Sequence, residues 1–294
     1  MFSKDILRNV FNKSPEIQVD DESKVVFISD CHRGDGTWKD SFLPNASIYM
    51  AALNYYFNNG FTQIEIGDGD DLWENPRIGD IFEIHPDIFE ILLRFKDDNR
   101  FYMIFGNHDE AKNTKKFRQD IEKFKNDPQK TTLYNLYHNL PIYEGLVLCY
   151  KPCCKKIFVV HGHQVDFFNY NLSIIARWLF RHVWAVLEQV SGFKNPTSPA
   201  KSNTKGRKID KELEQWVKEN NQPIIAGHTH RSMLRENEVP YYNDGCCVQP
   251  YSVSTMELVR GKLTLIKWSV VALENGQLTV RRKVIGGPID ITSL

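Results

Sequence analysis

No stretch of this chain reaches the run of about 18 apolar residues that a membrane-spanning helix needs. Its opening segment, MFSKDILRNVFNKSPEIQVDDESK, lacks the apolar heart of a secretory signal. Together these absences predict a cytoplasmic location. An excess of charge is missing too: 37 Lys and Arg face 37 Asp and Glu. Chains that grip nucleic acid usually carry a basic excess or patch, so no nucleic-acid partner is expected. A phosphorylated partner stays open, because bound cations would bring positive charge to it locally. The six cysteines, at 31, 149, 153, 154, 246 and 247, include two adjacent pairs. That is a poor disulfide framework, and they are read as thiols. Cys149, Cys153 and Cys154 match no common zinc-module spacing and bring no fourth ligand with them. Internal repeats and low-complexity tracts are also absent.

What is present is a chain of 294 residues, 41% apolar, long enough for a large core. Short apolar runs stand at 25–28, at Phe61, Ile64 and Ile66, at 101–105, at 157–160 and at 224–226. Their continuous apolar character predicts strands covered on both faces. Between them, 46–57 puts Ile48, Ala51, Ala52 and Tyr55 on one helical face, and 84–95 does the same with Ile88, Ile91, Leu92 and Phe95. Residues 109–124, more polar, and 209–219 read as further helices. Such alternation predicts an α/β fold. Segments 241–242, 253–259, 262–270 and 277–284 read as antiparallel strands that complete a second sheet, with turns at Arg260-Gly261 and Asn275-Gly276. The expectation is one domain over 1–294, two mixed sheets with helices outside. Residues 191–208 read as a flexible connector. Residues 167–190, aromatic and carrying Arg177, Arg181 and His182, read as a helical insert. It would pack on the body as a hairpin, cap the site over a lipid-like substrate, or touch a membrane surface. The cap-like insert and its linker thus span 167–208.

Each of the five predicted strands is followed at once by metal-type ligands: Asp30-Cys31-His32; Gly67-Asp68-Gly69-Asp70-Asp71; Gly106-Asn107-His108-Asp109; His161-Gly162-His163; and Gly227-His228-Thr229-His230. Singly, each is weak. Asp30 can cap a turn, and the acidic turn lacks the Glu of an EF-hand loop. Jointly they hold six of the nine histidines, and in open α/β sheets ligands bind beyond the carboxyl ends of strands. His85, His138 and His182 are given no metal role. A phosphate ester repels anionic nucleophiles. Two divalent cations about 3.5–4 Å apart neutralise its oxygens and lower the pKa of a bridging water. Imidazole, carboxylate and amide oxygen suit Zn, Fe or Mn rather than a thiolate-rich structural site.

In order and spacing, these motifs resemble the D-x-H, G-D-x-x-D, G-N-H-D, H-G and G-H-x-H set of the calcineurin-like metallophosphoesterase superfamily. The resemblance spans Asp30 to His230. It implies a four-layered αββα sandwich and a binuclear centre of two divalent ions, Mn, Fe or Zn. It implies that Asp30, His32 and His230 bind the first metal, that Asp68 bridges, and that Asn107, His161 and His228 bind the second. His108 would protonate the leaving oxygen, with Asp71 orienting it, while a metal-bridging hydroxide attacks phosphorus. Arg33 and Arg231, which flank ligands, and His163 are candidate phosphate contacts. Asp71-Leu72-Trp73, the H-G motif and the aromatic insert are similar to the UDP-2,3-diacylglucosamine hydrolase-like branch. That branch has G-N-R-D and H-G-D where this chain has His108 and His163. The departures favour a general phosphomonoesterase or phosphodiesterase over a lipid-linked pyrophosphate hydrolase. A non-catalytic metal-binding scaffold is the other alternative. The substrate is accordingly a phosphorylated small molecule, a lipid-linked nucleotide or a protein.

Overall fold

A computed structural model describes residues 2–166, 203–236 and 238–294. Strand alternation decides which layer each side chain enters. In β2 (Lys24–Ile28), Val25 and Phe27 face one core while Val26 and Ile28 face another. Beside β2 run β3 (Thr62–Ile66), β4 (Phe101–Ile104) and β5 (Ile142–Tyr143), all parallel. On its other side the antiparallel strands β10 (Ser252–Val259), β11 (Lys262–Ala272) and β12 (Leu278–Asp290) complete a seven-stranded sheet. The second sheet has five strands in the order β1 (Glu16–Val19), β6 (Gly145–Tyr150), β7 (Lys155–Val160), β8 (Ile224–Ala226) and β9 (Tyr241–Asn243). Only its β6–β7 hairpin is antiparallel.

The two sheets face each other across a core that includes Phe27, Ile64 and Ile104 from one and Leu148, Ile157 and Ile225 from the other. Outside the seven-stranded sheet lie α2 (Ala46–Asn58), α3 (Ile78–Ile84), α4 (Pro86–Asp97), α5 (Lys115–Glu122) and α6 (Thr131–Tyr137). They bury Tyr49, Ile81, Leu92, Phe117 and Leu133 against it. Outside the five-stranded sheet, α1 (Phe2–Lys13) and α7 (Asn203–Asn220) bury Leu7, Val10, Leu213 and Trp216 against Val147, Phe158 and Val160. The result is the expected αββα sandwich.

Several details differ from expectation. The helix expected over 84–95 is α4, which carries Ile88, Ile91, Leu92 and Phe95 but starts two residues later, at Pro86. His85, at φ −123° and ψ 42°, ends α3, and Pro86 starts α4, because a proline disfavours helical geometry in the residue before it. The helix expected from 109 begins only at Lys115, where the Thr114 hydroxyl accepts the Phe117 amide at 3.2 Å. Of the C-terminal strands, only β9 joins the second sheet, and it does so in parallel. β10 to β12 instead extend the first sheet from the edge of β2, where Phe27 pairs with Met256. Residues 203–208, expected in the connector, open α7. The insert at 167–190, with its candidate cap, lies outside the described residues.

Candidate metal centre

β2, β3 and β4 of one sheet, and β7 and β8 of the other, end at one rim, and their loops converge there. Asp30, His32 and His230 come together as one group that can hold an ion, and Asp68, His161 and His228 as a second. The loops turn tightly to do this. Asp30, His32, Asp68, His228 and His230 all have φ between 50° and 67°. Such left-handed backbone is uncommon outside glycine and marks sites where surrounding structure over-determines the chain. Gly106 permits a close approach, since a Cβ there would lie 2.7 Å from the Asp68 amide nitrogen.

Asp68 stands between the two groups. Its Oδ2 is 3.8 Å from His32 Nε2 and 3.3 Å from His161 Nε2, while its Oδ1 accepts the His108 amide at 2.8 Å. The His161 Nδ1 donates to the Ile66 carbonyl at 2.7 Å, which turns Nε2 inward toward Asp68. Asp30 Oδ2 accepts the Ser29 hydroxyl at 2.6 Å and the His228 amide at 2.7 Å, and Oδ1 lies 3.0 Å from His230 Nε2. The Nε2 atoms of His32 and His230 face each other at 3.3 Å. Asn107 Oδ1, His161 Nε2 and His228 Nε2 are buried without a hydrogen-bond partner among the described residues. Buried polar atoms are normally satisfied. Nitrogen and oxygen lone pairs gathered this way fit divalent cations of the Mn, Fe or Zn kind.

Electrostatics follow the same grouping. Burial pulls the His161 imidazole down, but Asp68 beside it outweighs that and lifts it to about 9. Burial opposes and Asp30 drives the rise of His230 to about 10. Burial pushes the Asp30 and Asp68 carboxyls up, yet the histidines around each hold them well below the usual range. His163 goes the other way. Burial, then the neighbouring His161 and His228, keeps it neutral, 5.4 Å centroid to centroid from His161.

A third group joins His32, Asp71 and His108. The His108 Nδ1 is 3.1 Å from Asp71 Oδ1, and its ring stacks on Trp73 at 4.4 Å. Arg33 is a correction. Its guanidinium is wholly buried, donating to Asp70 at 2.6 Å and to Glu65 at 3.0 and 3.2 Å. It therefore serves the loop's underside and is not available to a phosphate. Arg231 is held by Asp210 at 2.6 Å, with its side chain 30% exposed. His85 pairs with Asp40 and His138 with Glu122. All six cysteines are free thiols, and Cys153 and Cys154 lie exposed in the β6–β7 turn. Sequence reasoning missed Ser29 and Asp244, whose Oδ1 lies 2.7 Å from the Ser29 hydroxyl oxygen. Trp73 entered it only for its place in Asp71-Leu72-Trp73, with no site role.

A family model for the calcineurin-like phosphoesterase matches residues 23–232, more than two-thirds of the chain. The chain belongs to the calcineurin-like phosphoesterase family. This phosphoesterase is a hydrolase of a family that acts on phosphorylated substrates, typically with a binuclear divalent centre. Among solved structures it is similar to an archaeal phosphodiesterase at 17% identity, covering 89% of this chain and 99% of that one, with a TM-score of 0.36. It is similar to a cold-active protein-tyrosine phosphatase of a psychrophilic Shewanella at 12% identity, covering 90% and 81%, with a TM-score of 0.42. It is also similar to Chaetomium thermophilum Vps29 at 11% identity, covering 90% and 96%, with a TM-score of 0.39. No curated protein matches. Among the described residues, no helix is long and apolar enough to cross a membrane.

Proposed function

We propose that this phosphoesterase cleaves a phosphomonoester or phosphodiester at a binuclear centre held by Asp30, His32 and His230 on one side and by Asn107, His161 and His228 on the other, with Asp68 shared. The observation that carries this reading is Asp68 Oδ2, within 4 Å of an imidazole Nε2 from each group. Two divalent cations there would neutralise the phosphoryl oxygens and lower the pKa of a bound water. The chain's residues do the rest. The Asn107 carboxamide contacts a phosphoryl oxygen as charge develops. His108, held by Asp71 and stacked on Trp73, delivers a proton from its ring to the leaving oxygen. His163, kept neutral, and Arg231 contact the phosphate. We also read 1–294 as one catalytic unit, since β10 to β12, beyond the matched segment, complete the sheet that carries three motifs.

The full chain, loaded with Mn²⁺, is assayed on p-nitrophenyl phosphate and bis-p-nitrophenyl phosphate. Asp68→Ala should abolish turnover and lower Mn²⁺ stoichiometry. His108→Ala should keep the metal and lose about 10²–10⁴-fold in kcat. Undiminished turnover by Asp68→Ala would end this reading. A lipid-linked pyrophosphate in the same panel separates the alternative branch, because His108 stands where that branch carries arginine.

A further inference from the structure

Beneath the metal centre lies a cation that belongs to none of the five motifs. Lys112 sits on the short turn after Asp109 and is fully buried. Its Nζ lies 2.7 Å from Asp70 Oδ2, 2.8 Å from Asp109 Oδ2 and 3.7 Å from Glu65 Oε1. Arg33 holds the other side of Glu65 and Asp70, and the Tyr137 hydroxyl donates to Asp70 at 3.1 Å. Three carboxylates against two cations leave a formal charge of −1, and all five side chains are buried. Burying such a cluster is costly, and an apolar replacement of similar volume is often as stable. A role beyond stability is therefore sought in what the cluster touches.

It touches the two loops that meet at Asp68. Asp109 Oδ1 accepts the amides of Gly106 at 2.7 Å and Asp68 at 3.2 Å, and its Oδ2 accepts the Gly69 amide at 3.1 Å. One carboxylate thus clamps the loop carrying Asp68 to the loop carrying Asn107, and Lys112 orients that carboxylate while tying it to Asp70. We propose that Lys112 is a positioning residue for the metal centre: by holding Asp109 and Asp70 together, it sets the separation between the Asp68 carboxylate and the Asn107 carboxamide, and with it the affinity of the second cation position. The inference rests on the reading of Asp68 and Asn107 as ligands.

The test is a Mn²⁺ titration of the full metal-free chain by calorimetry, alongside its thermal melt. Lys112→Met should weaken the second Mn²⁺ by about 10–100-fold, the usual effect of losing a partner that orients a ligand. At limiting Mn²⁺, kcat should fall with little change in KM. Lys112→Met combined with Asp70→Asn keeps the cluster at −1, so its fold is not charged with an unpaired carboxylate, and it should weaken the second Mn²⁺ equally. A double variant that binds two Mn²⁺ with wild-type affinities would overturn the proposal. So would a double variant that cannot fold, which would make Lys112 a requirement of the core alone. Wild-type protein that binds no Mn²⁺ would instead bring down the functional reading itself.

Discussion

Asp71 faces two imidazoles, His108 Nδ1 at 3.1 Å and His32 Nδ1 at 3.7 Å. A carboxylate in that place fixes the tautomer and direction of His108, so the two residues should act as one unit. Asp71→Asn is expected to lower kcat, and adding it to His108→Ala should cost little more. A double-mutant cycle on kcat/KM measures this directly, and additive losses would separate the pair. At this scale the ligand candidates were legible, because Asp, Asn and His recur together at five strand ends, although each is weak evidence in a single turn. Arg33 was not. Adjacency to His32 says that two side chains are near in sequence, but the loop turns Arg33 down into the Glu65 and Asp70 carboxylates. Lys112 and Asp244 were invisible, because their partners are defined by loops that only folding brings near.

Between β2 and α2 the chain is held by one carboxylate. Asp40 accepts the amides of Gly36 at 3.1 Å and of Phe42 and Leu43 at 3.0 Å, and it meets His85 Nε2 at 3.1 Å. Asp40→Ala should cost about 1–3 kcal/mol, the penalty of stranding buried donors. Burial raises the Asp40 carboxyl and its bond to His85 lowers it, with a net fall below the ordinary 3.8. A depressed folded-state value stabilises above the unfolded pKa and ceases to do so as pH falls through the folded one. The melting-temperature gap between wild type and Asp40→Asn, measured without metal, should therefore shrink below about pH 4. A gap that widened on acidification would contradict this. Among elements, the strands at 25–28, 101–105 and 157–160 were legible because they are buried on both faces. β1 and β5, with four and two residues, are too short for any period to register. β6 is fully buried, but its run ends in a hairpin turn instead of at ligands.

For the molecule as a whole, both sheets of one chain contribute to the candidate centre, the first three motifs from the seven-stranded sheet and the last two from the five-stranded one, and each candidate ion group draws on both. Cations bound across that rim would tie the layers together. Addition of Mn²⁺ at 100 times its Kd should stabilise the fold by about 2.7 kcal/mol for each ion position filled. A thermal melt should show the rise, a chelator should reverse it, and Asp68→Ala should lose most of it. A melting temperature indifferent to Mn²⁺ would detach the ions from the sandwich.

The chain's own order of residues determined the chemistry on offer: carboxylates, imidazoles and one carboxamide, each placed where an apolar run stops. It also determined the α/β character, because alternation and helical spacing are local properties. Tertiary structure decided which of these side chains gather into groups that could hold an ion, that β10 to β12 widen the first sheet, and that Arg33 and Lys112 lie buried beneath those groups. Those outcomes depend on contacts between residues far apart in sequence, such as the pairing of Phe27 with Met256, and no local pattern encodes a partner that distant.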